Sequence, residues 1–297
     1  MKIKKSPQTI AFHVFAYIII GIFAFLCLYP FYIIVVSSFS SEKAIIRNGY
    51  SMLIQDFSLE AYKICLRNPT KILYAYRNTI CATIIGTTIS VFLATLTGYV
   101  LQRQDFPWRN KFSFFFFFTT LFNGGLTPWY ILCVKYLKFK NNFIALVIPL
   151  CFSVWYTIIS KNFFKGIPFE ITESAIIGGA NDFKIYYKII MPMSKPLLAT
   201  IGLFAALAYW NDWYNCMLFI SKDNLKTLQY FLQNMLNSVT ALKQIATAGG
   251  EISANQVLPQ ETMKMAMTVL ATGPIVLAYP LVQKYYVKGL TVGAVKG

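Results

Sequence analysis

Apolar residues in this chain come in long blocks without charge, and that pattern decides the solvent in which it folds. In hydrocarbon no water can pair with backbone N–H and C=O groups, so a crossing helix satisfies them internally and needs ~20 apolar residues to span ~30 Å. Blocks of that order lie between Ser6 and Ser41, Arg77 and Arg103, Lys111 and Lys135, Lys140 and Lys161, Lys195 and Ser221, and Lys264 and Lys284. With 57% hydrophobic and 13% charged residues, a soluble domain is excluded. The expected fold is all-α integral membrane, a single domain over 1–297 with six helices at about 12–38, 78–101, 112–133, 143–160, 196–220 and 264–283.

The opening "MKIKK" before an apolar run has the look of a signal peptide, but the run is too long and no small-residue cleavage pattern follows, so a retained anchor is expected. Basic residues divide almost evenly between the two sides. Their position is more telling: Lys2, Lys4 and Lys5 precede helix 1, and Arg103, Arg109 and Lys111 crowd the short loop after helix 2. The positive-inside rule then puts both termini in the cytoplasm, with longer outer segments at about Ser40–Tyr76 and Ser221–Met263. The net charge of +16 is scattered over loop ends, with no aromatic-flanked basic stripe; anionic lipid is the expected partner and nucleic acid is not.

Cys27, Cys65, Cys81, Cys133, Cys151 and Cys216 form no C-x-x-C pair or zinc spacing and read as small apolar residues. With one histidine, His13 at the inner end of helix 1, no multi-histidine metal site is expected. The phosphate-cradling pattern G-x-x-x-x-G-K-[ST] is missing from the sequence, so any ATP would be bound elsewhere.

The loop at 161–195, "KNFFKGIPFEITESAIIGGANDFKIYYKIIMPMSKP", is too polar to span and too patterned to be slack. Ile167-Pro168 makes a turn, Thr172 offers a cap near the run from Glu173 to Ile177, and Gly178-Gly179 breaks that helix. Phe183, Tyr186, Tyr187 and Ile190 then gather on one helical face until Pro192 ends the pattern. Two short helices with a glycine elbow make a compact knob able to fit a cleft in a partner.

Glu173-Ser174-Ala175, three residues, Gly179, nine residues, Ile189, one residue, Met191-Pro192 resembles the EAA signature of binding-protein-dependent ABC importer permeases: E-A-A, three residues, G, nine residues, I, one residue, L-P. Ser174 and Met191 depart from alanine and leucine, and Gly178 stands where the carbohydrate branch often has aspartate. "FNGGLTPWYILCVKYLKFKNNFIALVIP", "AYWNDWYNCMLFI" and "GPIVLAYPLVQKYYVKGLTVGAVKG" are similar to maltose-type permeases, nearest the LplC-like branch associated with oligosaccharides. The resemblance implies a type I (MetI-like) fold and a carbohydrate permease. It also implies a second homologous permease, two cytoplasmic ATPases holding ATP and Mg, and an extracytoplasmic sugar-binding protein. No cofactor would be bound by this chain. Glu173, Ser174, Ala175, Gly179, Phe183, Ile189 and Pro192 would carry the coupling to an ATPase groove.

Plainer readings stand beside these. Gly124, Gly125 and Pro128 serve either to bend helix 3 or to contact ligand, with the bend favoured. The run "FFFFF" at 114–118 reads as lipid-facing or packing surface, and Trp129 and Trp155 as interfacial anchors or sugar-stacking rings. Trp210 and Trp213, flanking Asn211 and Asp212, fit either interfacial anchors or a sugar-stacking pathway. Asp212 is costly in hydrocarbon, by ~2.5–3.5 kcal/mol, and so is either a hydrogen-bond anchor at the outer end of helix 5 or part of the pathway. An ion-coupled carrier would need further buried carboxylates and an internal repeat, and an intramembrane hydrolase a nucleophile with its base; neither pattern is present.

Overall fold

The computed structural model describes residues 7–247 and 259–294, with side chains described for 8–241, 244 and 259–277. Among the described residues the chain is helical throughout, with one isolated bridge, Ser40 to Phe57. In chain order the helices are α1 (Pro7–Ser38), α2 (Glu42–Asn48), α3 (Glu60–Cys65), α4 (Pro69–Gln102), α5 (Arg109–Leu121), α6 (Leu126–Ile131) and α7 (Val154–Lys165). They continue as α8 (Phe169–Ile177), α9 (Asp182–Ile185), α10 (Met191–Met193), α11 (Lys195–Trp210), α12 (Tyr214–Phe219), α13 (Leu228–Thr247) and α14 (Gln260–Ala294). Gln8–Ser38 and Pro69–Gln102 are each long and apolar enough to cross a bilayer. Phe143–Leu150 with Val154–Lys165, bent by 47°, and Asp182–Met193 with Lys195–Trp210, bent by 85°, reach that length and apolarity only when each bent pair is counted as one span.

Packing divides the chain into two units, Met1–Asn68 with Asn234–Pro274 and Pro69–Gln233 with Ile275–Gly297. In the first, α1 is apolar all round and exposed along most of its length, a surface stable in lipid and not in water. At its end the Ser38 hydroxyl lies 2.8 Å from the Tyr62 hydroxyl and Phe39 stacks on Tyr62 at 5.2 Å. Ser41 caps α2, accepting from Ala44 N at 3.2 Å. The buried Glu42 carboxylate accepts from the backbone N–H groups of Glu261 (2.9 Å) and Thr262 (2.8 Å) and from the Thr262 hydroxyl (2.8 Å), satisfying the free donors at the start of α14.

The second unit is built on α4. Ala75, Thr79, Ala82, Gly86, Ser90, Ala94 and Gly98 recur at three- and four-residue steps and are buried, a stripe of small residues that lets neighbouring backbones come close. α7 and α11 pack there. A Cβ on Gly98 would lie 2.5 Å from Ser160 Cβ and 2.8 Å from Lys161 N, and one on Gly86 would enter the Tyr209 ring. The Tyr209 hydroxyl donates to the Val147 carbonyl at 2.7 Å, and Lys161 Nζ donates to Ser113 Oγ at 2.7 Å, tying α7 to α5.

The helices depart from the expected bounds where backbone chemistry overrides hydropathy. α4 begins at Pro69 rather than 78, because Lys71 and Arg77 sit on turns that project beyond the apolar block. Helix 3 breaks after Leu121: Asn123 Oδ1 accepts from Gly125 N at 2.8 Å, Gly125 takes φ +88°, and the chain resumes as α6 and a π-helical turn, Leu132–Tyr136. Helix 4 opens as two 3-10 turns, Phe143–Leu146 and Ile148–Leu150, before α7. Helix 5 breaks at 211–213 between α11 and α12. The segment after Ser221 contains the 20-residue α13, for which the sequence expectation had no helix. The expected positions of the two termini fall on residues outside those described.

Candidate functional site

α8 starts at Phe169, directly after Pro168, so Thr172 is no cap; it lies inside the helix and is buried. Glu173 and Ser174 are exposed, with the Ser174 hydroxyl donating to the Glu170 carbonyl at 2.8 Å, while Ala175 packs inward. The elbow is a Schellman turn. Gly179, at φ +75°, donates to the Ile176 carbonyl at 2.9 Å and Ala180 N donates to the Ala175 carbonyl at 3.0 Å, while Ala175 and Ala180 pack against one core cluster. A side chain on Gly179 would meet nothing within 4 Å, so its glycine answers to backbone conformation and not to close approach within the chain.

The second limb starts at Asn181, whose side chain accepts from Lys184 N at 2.9 Å, runs through α9 and a π-helical turn, Tyr186–Ile190, and reaches α10. The expected single face splits. Ile185, Tyr186 and Ile190 are buried with Tyr99, Phe164, Leu197 and Ile201, whereas Phe183 and Tyr187 stack on each other at 6.3 Å in the open. Ile189 is half-buried and Pro192 exposed. Pro192 does not end the limb; the break comes at Ser194, whose hydroxyl donates to the Ile190 carbonyl at 2.7 Å.

One polar group at the root of the knob went unrecognised in the sequence. Arg103, nearly buried, donates from Nε to Asp105 Oδ1 at 2.8 Å and from Nη1 to the Tyr99 hydroxyl at 3.1 Å, and forms ion pairs with Asp105 and Asp182. Its hydrogen bonds hold the Asp105 carboxyl below the usual carboxylate range, and Asp105 in turn raises the guanidinium pKa. The available signal was the four-residue spacing of Thr95, Tyr99 and Arg103 at the end of an otherwise apolar helix.

Of the four pathway candidates, Trp210 is buried, Asn211 and Trp213 are exposed and Asp212 is half-buried. Asp212 accepts from Asn215 N and Nδ2, both at 3.1 Å, and its carbonyl accepts from the Thr227 hydroxyl at 3.0 Å. That is the geometry of an anchor at the helix break, with Asn215 rather than Asn211 as its partner. Asn211 Oδ1 accepts from Gln229 Nε2 at 3.2 Å. None of the four lines the hollow of ≈ 500 Å³ at the helix-3 break; Asn123, Gly124, Gly125, Pro128, Trp129 and the adjacent Tyr214 do. Among the described residues no cluster suits a metal ion.

The described residues combine membrane-length apolar helices with a structured knob packed on α4, α7 and α11. The chain is 35% identical over 276 residues to the polygalacturonan/rhamnogalacturonan transport system permease protein YtcP of Bacillus subtilis, covering 93% of this chain and 94% of that one. It is also 35% identical to protein LplC of the same organism, over 90% and 89%. The solved structure of a bacterial ABC transporter involved in the import of the acidic polysaccharide alginate superposes with a TM-score of 0.75 at 28% identity, over 96% of this chain and 100% of its counterpart. No family model matches. The chain belongs to the permease subunits of ABC importers, membrane proteins of the type I fold.

Proposed function

We propose that this permease carries a carbohydrate, in the form of an oligosaccharide, into the cell, driven by ATP that partner subunits hydrolyse. The knob carries the reading. Ile177, 88% exposed at the elbow, lies in the same knob as the exposed Phe183–Tyr187 pair. Apolar surface of that kind marks a docking site, because covering it gains roughly 25 cal/mol per Å². The knob's other side is wedged among α4, α7 and α11, so a displacement of the partner reaches the bundle.

The occupant of that surface is a cytoplasmic ATPase, one of two, and the second half of the pathway comes from a homologous permease. A sugar-binding protein delivers cargo on the outer side. ATP and Mg belong to the ATPases, in keeping with the missing phosphate loop of this sequence. YtcP is named for transport of polygalacturonan/rhamnogalacturonan and the solved transporter for import of the acidic polysaccharide alginate, and these names support a carbohydrate cargo.

This assembly requires both termini and the knob to face the cytoplasm. Replacing the six native cysteines and introducing Ser51→Cys, Lys222→Cys, Lys111→Cys or Lys184→Cys tests it with an impermeant thiol reagent. Positions 51 and 222 should be labelled in intact cells, and 111 and 184 only after permeabilisation. Labelling at 184 in intact cells would rule out docking of a cytoplasmic ATPase.

A further inference from the structure

The knob is continuous in sequence with α7 and α11, yet its strongest polar contact is with α4. Thr95 and Tyr99, four residues apart, share one face of that helix, and Arg103 follows directly on its last residue, Gln102. All three meet the knob or hold its partner. The Thr95 hydroxyl lies 2.9 Å from the Tyr186 hydroxyl, the Tyr99 ring 5.5 Å from the Tyr186 ring, and Arg103 pairs with Asp182 at the start of α9. Arg103 cannot swing to follow a moving partner, because Asp105 and Tyr99 occupy other donors of the same planar group.

The helices joined to the knob by the chain pack against it too, but each connection is broken. α7 enters it through the Gly166-Ile167-Pro168 turn, and the limb ending at Met193 meets α11 at 85° across Ser194. α4 has no such break. It runs unbroken for 34 residues, about 50 Å at the α-helical rise. At its far end the buried Asn78 donates to the carbonyls of Asn224 (2.9 Å) and Lys226 (3.1 Å), Thr79 Oγ1 accepts from Leu228 N (2.8 Å), and Lys71 pairs with Asp223 (2.6 Å). The segment 223–228 is therefore fastened to one end of the same helix whose other end holds the knob.

We propose that α4 is a rod carrying knob displacement to segment 223–228 on the opposite membrane face, with Arg103 as the positioning residue that fastens the knob to it through Asp182. The inference rests on the reading of the knob as the ATPase-docking element. Rigid packed elements with fixed contacts at both ends are the physical means by which such coupling travels.

The test uses the whole transporter, with its ATPases and binding protein, in liposomes, and reads sugar imported per ATP hydrolysed. Asp182→Asn removes one charge from a side chain that is 75% exposed, so folding is not at stake. Arg103→Lys keeps the charge and loses the planar fork. Each is expected to lower the ratio about fivefold, the double variant no further, with ATPase content unchanged. An unchanged ratio in Asp182→Asn, or losses that multiply in the double variant, would overturn the clamp. Absence of the ATPase from the unaltered complex would instead overturn the docking reading, and the rod with it.

Discussion

Gly179→Val should cut sugar uptake at least tenfold while leaving half or more of the protein in the membrane. Gly179 sits at φ +75°, where a side chain with a branched β-carbon costs on the order of 1–2 kcal/mol or more, and about 1.4 kcal/mol is a factor of ten. The strain has one relief, which is to open the Schellman turn and lose the bonds to the Ile176 and Ala175 carbonyls. Ile177 and Phe183 would then leave their relative positions, while the membrane helices keep their contacts. Two controls isolate the cause. Gly179→Asn should retain most uptake because asparagine tolerates left-handed backbone, and Gly178→Ala should be near neutral because Gly178 has φ −72°. Full uptake in Gly179→Val would show that the elbow is dispensable.

Gly98→Val should act on the fold itself. The new side chain would press on Ser160 Cβ and on the backbone nitrogen of Lys161, and a backbone atom cannot rotate away. α4 and α7 must then separate, at a cost of roughly 1–3 kcal/mol or more, in a membrane where close approach is the main source of helix affinity. Solubilised protein should elute largely as aggregate, with folded material below about a fifth of wild type. Gly202→Ala is the matched control, since its nearest neighbour, Val91 Cγ2, would stand at 3.9 Å. A well-dispersed Gly98→Val protein of unchanged thermal midpoint would contradict the packing described for α4.

The class of fold was legible because uncharged blocks report side-chain transfer into lipid, and the knob was legible because Gly178-Gly179 and Pro192 punctuate it. Breaks within spans were not. At Asn123 the interruption is a side-chain acceptor competing with the helix, and at Asp212 a carboxylate capping α12; neither changes the hydropathy of its window enough to show. α13 escaped because attention to span length passed over a helix that is only half apolar, although Leu228, Leu232 and Val239 mark its buried side. In the sequence Arg103 is one more positive charge on a short loop. Its role depends on Asp182, 79 residues away, and no local pattern joins the two. Asp212 was weighed between anchor and pathway, and its two bonds to Asn215 supply the anchor without deciding the pathway.

This chain should transport sugar only as part of an ATP-driven assembly. Liposomes containing the chain with its homologous permease, ATPases and binding protein, loaded with ATP and Mg, should accumulate labelled oligosaccharide against its gradient. Liposomes lacking either the ATPases or ATP should take up none above background. Accumulation by the isolated chain, or uptake driven by a proton or sodium gradient without ATP, would contradict the account.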